Sequence, residues 1–269
     1  MGDAMVIDDA MDRHAARTVD LNCDLGESFG AYVIGDDEAL FALVSSANVA
    51  CGFHGGDPRV MERTVASASA HGVAIGAHPG FLDLAGFGRR AIAASPDEVR
   101  TDVLYQLGAL GAFCRAAGVP LRHVKAHGAL YTLAVNDLPT ATAIAAAVRA
   151  YDPGLRFFAP PGTALARAAA GAGLPLVREG FADRAYEPDG TLVSRRSPAA
   201  LVTDPAVAAG RMLRLVTEGI IRAVDGSDIP LAVDTICTHA DTPGAVSIVA
   251  AVRARLESAG IEIRPPDGA

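Results

Sequence analysis

The chain contains no tryptophan, and aromatic residues fill only 5% of its 269 positions. Ala, Val, Leu and Ile must therefore build the core of a sequence that is 51% hydrophobic. Long apolar runs are also missing. No stretch of about 18 uncharged apolar residues occurs, which excludes a membrane-spanning helix. Basic clusters are absent: net charge is −8, and Lys and Arg are scattered. That leaves no positive footprint for nucleic acid. The four cysteines, Cys23, Cys51, Cys114 and Cys237, form no CxxC pair. Such sparse cysteines exclude a disulfide scaffold and a zinc knuckle, and a cytoplasmic location is expected. Each reads as a small buried apolar residue. Neither GxGxxG after the first strand nor GxxxxGK[ST] anywhere is found, so no nucleotide cradle is visible. Met1–Arg17 is acidic and lacks the apolar segment of a secretory signal. It is expected to be a flexible tail over residues 1–17, followed by one catalytic domain over 18–269.

What the sequence does contain is alternation. Strand-like runs at 18–23, 46–51, 73–77, 121–126, 156–159, 174–179 and 231–237 are separated by helix-like runs. Asp57-Pro58 and Ser95-Pro96 have the chemistry of helix starts, and Gly72 and Gly118 that of helix stops. A long polar connection occupies 183–201, and a short extended piece trails at 261–264. Repeated βα units imply a parallel sheet. The expected fold is α/β, an irregular TIM-like (βα) barrel of about seven parallel strands in a single domain.

Titratable groups recur just after these strands. Asn22, Asp24 and Glu27 follow the first, His54 and Asp57 the second, and His78 the third. Lys125 and His127 follow the fourth; Glu179, Asp183 and Arg184 the sixth; His239 and Asp241 the seventh. In a parallel barrel all these ends meet at one rim. Acids and histidines there can activate water and move protons. Asp24, His54 and His78 could also form a two-His, one-carboxylate set for a divalent metal, although no HExxH supports it. Lys125 could neutralise an oxyanion, and Arg89 and Arg90 could clamp a substrate carboxylate. Cys51, three residues before His54, invites a Cys–His nucleophile reading that sequence spacing alone does not establish.

Six segments carry a resemblance: DLNCDLGESFG (20–30), NVACGFHGGDP (48–58), VAIGAHPGFLDLAGFGRR (73–90), HVKAHGALY (123–131), EGFADRAYEPDGTLVSR (179–195) and ICTHADTPGAV (236–246). Together they resemble the family of 5-oxoprolinase A subunits, also called LamB/YcsF-like, over about 18–255. The departures are Ala126, where the family usually has Pro, and Thr132, where it usually has Asn. The resemblance implies an irregular barrel distantly like sugar deacetylases. It also implies ATP-dependent opening of 5-oxo-L-proline to L-glutamate, with two partner subunits and ATP as co-substrate. Phosphorylation of the inert lactam oxygen would let water attack the ring carbon. Asp24 is expected as general base with Glu27 behind it. His54, His78 and His127 are expected as proton carriers or metal ligands, and Lys125 as charge stabiliser. Asn22, Arg89, Arg90, Asp183, Arg184, His239 and Asp241 are expected to meet substrate. Two other readings stay open: a metal-dependent deacetylase, and a non-catalytic small-molecule-binding subunit.

Overall fold

Along the first strand, β1 (Thr18–Leu25), polar and apolar residues alternate, and nearly all are buried. Asp20, Asn22 and Asp24 occupy one face; Leu21, Cys23 and Leu25 join the hydrophobic core on the other. A strand buried on both faces, one of them polar, lines a barrel whose interior is hydrophilic and whose exterior packs on helices.

A computed structural model describes residues 18–266; the tail expected over 1–17 lies outside the described residues. After β1 come α1 (Asp37–Phe41), β2 (Ser46–Ala50), α2 (Pro58–Ala70), β3 (Ala74–His78), α3 (Pro96–Ala116) and β4 (Leu121–Val124). Then follow α4 (Gly128–Asn136), α5 (Leu138–Tyr151), β5 (Arg156–Ala159), α6 (Ala164–Ala172), β6 (Leu176–Phe181) and α7 (Pro205–Glu218). The chain continues through β7 (Ile220–Arg222), β8 (Asp228–Pro230), β9 (Thr235–His239), α8 (Ala245–Ser258) and β10 (Glu262–Ile263).

Strands β1 to β6 pair in order, all parallel, and β9 joins β6 to β1. The result is a closed seven-stranded parallel barrel in a single domain. β10 extends β1 at its start, through Thr18 opposite Glu262. Among the described residues, no helix is long and apolar enough to cross a membrane.

Local chemistry explains the boundaries. Asp57 accepts from the backbone N–H groups of Arg59 and Val60 and opens α2. Ser95 and Glu98 form a reciprocal capping box at α3. Three features differ from the sequence expectation. Helix α4 carries no start signal: its N-cap, His127, makes no side-chain capping bond, and its first residue is Gly. The β7–β8 hairpin consists of three-residue strands, too short to alternate visibly. The last barrel strand runs 235–239 rather than 231–237, which brings His239 into the strand.

Candidate active site

Barrel pleating decides which polar residues meet. Asp24 lies opposite Asn48, Asn48 opposite Gly76, and Gly76 opposite His123. At the base, Asp20 accepts from Ser45 (2.6 Å), Ser46 (2.7 Å) and Thr235 (2.5 Å). Burial outweighs these donors and raises its pKa to about 6. Asn22 spends both amide hydrogens on Thr235 and Glu179 and accepts from Asn48. His123 bonds Asn48 Oδ1 at 2.8 Å and stacks on Phe158. Only glycine fits at position 76, because an added Cβ would fall 2.1 Å from the His123 ring.

One level higher, Lys125 Nζ donates to Asp24 Oδ1 at 2.8 Å and lies 3.3 Å from Glu179 and 2.9 Å from Cys237 Sγ. Tyr131 donates to the other Glu179 oxygen at 3.0 Å. Burial works against each charge in the central pair, but the partners win. Asp24 is held well below the usual carboxylate range by His78, Lys125 and His239, and Lys125 is held well above the usual ammonium range by Asp24, Cys237 and Glu179.

The histidines surround this pair. His78 Nε2 stands 3.3 Å from Asp24 Oδ2 and 3.1 Å from His127 Nδ1. Glu27 Oε1 is 3.2 Å from His54 Nε2 and 3.4 Å from His127 Nδ1. Burial and the nearby Asp24 charge push the Glu27 carboxyl well above its ordinary range. Burial, together with neighbouring histidines, pushes His54 and His127 down, favouring neutral rings. The His54 and His127 rings stack at 3.6 Å between centroids.

On the opposite flank, His239 Nδ1 meets Asp183 Oδ2 at 2.9 Å, and Nε2 lies 3.9 Å from Asp24 Oδ2. Asp183 also accepts from Thr242 (2.6 Å) and the His239 backbone N–H (3.1 Å). Against the cost of burial, these partners lower its pKa to about 2. The His239 side chain is 12% exposed, whereas those of Asp24, Glu27, His54, His78 and His127 are at or below 4%. His239 is therefore the most accessible member of the ring. At the edge of the cluster, Arg89 and Asp241 pair at 2.7 Å with partly exposed side chains, and Arg89 lies over the Phe87 ring.

The structure thus brings Asp24, Glu27, His54, His78, Lys125, His127, Asp183 and His239 into one cluster, with Arg89 and Asp241 at its edge. Others are occupied elsewhere. Arg90 Nε bonds Asp83 at 2.8 Å, and Arg184 donates to the carbonyls of Val193 and Ala200 and braces the long connection. Asn22 lies in the sealed interior. All four cysteines are buried and free. The Cys51 thiol donates to Val49 O and is pushed up to about 12 by burial, which leaves no thiolate for a Cys–His nucleophile. Among the described residues, potential metal ligands fall into two groups: Glu27, His54, His78 and His127, and Asp24, Cys237 and His239. The expected set of Asp24, His54 and His78 is divided between them. His123, Asn48, Tyr131 and Asp20 escaped the sequence reading. The period of two in His123, Lys125 and His127 was the available signal for the first.

A closed parallel barrel with acids and histidines converging at the C-terminal strand ends defines the class, an enzyme-like barrel with its site at that rim. The LamB/YcsF family model matches residues 19–269, and the chain belongs to that family. It is 52% identical over 254 residues to a Symbiobacterium thermophilum protein named as the A subunit of 5-oxoprolinase, covering 94% of this chain and 97% of the relative. A Thermus thermophilus protein of the same name is 55% identical, with coverages of 91% and 98%. The crystal structure of the lactam utilization protein from Thermus thermophilus superimposes with a TM-score of 0.88 at 54% identity, covering 92% of this chain and 99% of that one.

Proposed function

We propose that this chain is the A subunit of an ATP-dependent 5-oxoprolinase and opens 5-oxo-L-proline to L-glutamate with partner subunits in the cytoplasm. The substrate follows from relatives named for that activity, matched over more than nine-tenths of the chain. The hydrolytic chemistry rests on one observation: His239 is oriented by buried Asp183 and faces the Asp24–Lys125 pair from the most accessible edge of the ring. A base held in place by a third group is the arrangement that water activation requires.

In this reading ATP phosphorylates the lactam oxygen, and the phosphate sites are shared with partner subunits. Water then adds to the ring carbon and gives a proton to His239 Nε2. The ring C–N bond breaks as His239 passes that proton to the departing nitrogen, leaving a glutamyl phosphate that a second water hydrolyses to glutamate and phosphate. Lys125 lies close enough to the centre to offset oxyanion charge. Asp24, expected from sequence as the base, takes the role of a fixed negative charge that steadies the protonated His239. Glu27, His54, His78 and His127 form the adjoining wall, and Arg89 is the rim cation available to a substrate carboxylate.

The test is glutamate formation from 5-oxoproline and ATP. The complete complex should turn over, and the isolated chain should hydrolyse neither compound. Glutamate production by the pure chain without ATP, or none by the complete complex, would sink the proposal.

A further inference from the structure

The hydrogen bonds on the far side of two rings fix what their near sides can do. His78 Nδ1 lies 2.7 Å from the Lys125 carbonyl, and His127 Nε2 lies 2.8 Å from the Phe87 carbonyl. A carbonyl only accepts, so each of these nitrogens carries the hydrogen. In neutral rings, His78 Nε2 and His127 Nδ1 then present bare lone pairs. Those two atoms face each other at 3.1 Å. Asp24 Oδ2 stands 3.3 Å from the first, and Glu27 Oε1 stands 3.4 Å from the second. Four potential ligand atoms thus converge in a sealed space, where a single positive centre would satisfy them together.

The spacing matches a metal ion. Tetrahedral bonds of about 2.0–2.1 Å to nitrogen place two ligand atoms about 3.3 Å apart. The 3.1 and 3.4 Å separations bracket that value. Anchoring of the non-ligating ring nitrogen by a backbone carbonyl is also the usual support of a metal-binding histidine, and both rings have it. His54 lacks it: its Nδ1 is buried with no partner. His54 Nε2 is instead 3.2 Å from Glu27 and its ring is stacked on His127.

We propose that Glu27, His78 and His127 form a binding site for one first-row divalent cation, with His54 as a positioning residue that holds Glu27 and His127. The set differs from the Asp24, His54 and His78 combination suggested by the sequence, and it does not depend on the reaction proposed above. One carboxylate and two imidazoles suit Zn2+ or Co2+. Asp24 Oδ2, 3.3 Å from His78 Nε2, flanks the site.

Zinc and cobalt are the probes. Chelator-stripped full-length protein should take up about one Zn2+ per chain by calorimetry and elemental analysis. Co2+ should give visible absorption of a low-coordinate site. His78→Gln and His127→Gln should each weaken zinc binding by at least about 100-fold. Circular dichroism will show that each variant is folded. Histidine 15N NMR on the unmutated chain provides a readout independent of any variant's folding. Zinc should move His78 Nε2 and His127 Nδ1 and leave their hydrogen-bonded nitrogens protonated. Absence of zinc uptake, unchanged uptake in the folded variants, or a doubly protonated His78 unaffected by zinc would overturn the site.

Discussion

Lys125 Nζ and Asp24 Oδ1 lie 2.8 Å apart across the barrel interior, although 101 residues separate them in sequence. Both side chains are at or below 4% exposure, so neither charge has water to fall back on. Removing one member of a buried pair strands the other and costs about 3–5 kcal/mol. Lys125→Met should therefore lower urea-unfolding stability by that order. Adding Asp24→Asn should recover part of the loss without restoring turnover. A single variant as stable as the parent would show that the pair is not strongly coupled.

His239 acts in the proposed reaction only while Asp183 orients it. Asp183→Asn keeps the shape and removes the charge, and glutamate formation by the complex should fall about 10²–10⁴-fold. The loss should lie mainly in kcat, with KM nearly unchanged. Near-parental kcat would reduce Asp183 to a loop anchor.

Asp24→Asn is expected to lower turnover by about 10²–10⁴-fold, whether Asp24 receives the proton itself or steadies the group that does. The expectation is checked by steady-state glutamate assay, with circular dichroism on the variant. If Asp24 only fastens a turn, Asn would preserve both fold and rate.

The base of the barrel predicts a pH effect on stability. Burial raises Asp20 from 3.8 to about 6 on folding. The folded state therefore holds this proton more tightly than the unfolded state. Asp20 favours folding below about pH 4, and that contribution is lost as pH rises toward 6. Two pKa units correspond to about 3 kcal/mol. Asp20→Asn should flatten stability between pH 4 and 6 relative to the parent, as measured by urea unfolding at fixed ionic strength. An unchanged slope would contradict the shift.

Gly88 has φ +63°, and a Cβ there would fall 2.6 Å from atoms of His54 and His127. Gly88→Ala should therefore both destabilise the fold by about 1–3 kcal/mol and slow turnover, because the two stacked rings must move apart. A thermal melt and turnover assay read the two effects separately. Loss of stability with full activity would show that the rings tolerate displacement.

The βα order, the parallel class and most of the rim were legible in the chain before any contact was known. Proline and capping residues set helix starts locally, as Asp57 and Ser95 do through bonds within three residues. Asp24, His54, His78, His127 and His239 could be grouped because parallel strands bring all their ends to one side. The rest came from the folded barrel, because it depends on which residues face each other across the interior. Strand pleating, with a register irregularity between Ile75 and Gly76, turned His123 inward against Asn48. The loop after β3 likewise separated two adjacent arginines, sending Arg89 to Asp241 and Arg90 to Asp83. The choice between a proton-carrying and a metal-binding histidine was likewise invisible in sequence. It depends on which ring nitrogen finds a carbonyl, Lys125 for His78 and Phe87 for His127, and those contacts exist only once the barrel has closed.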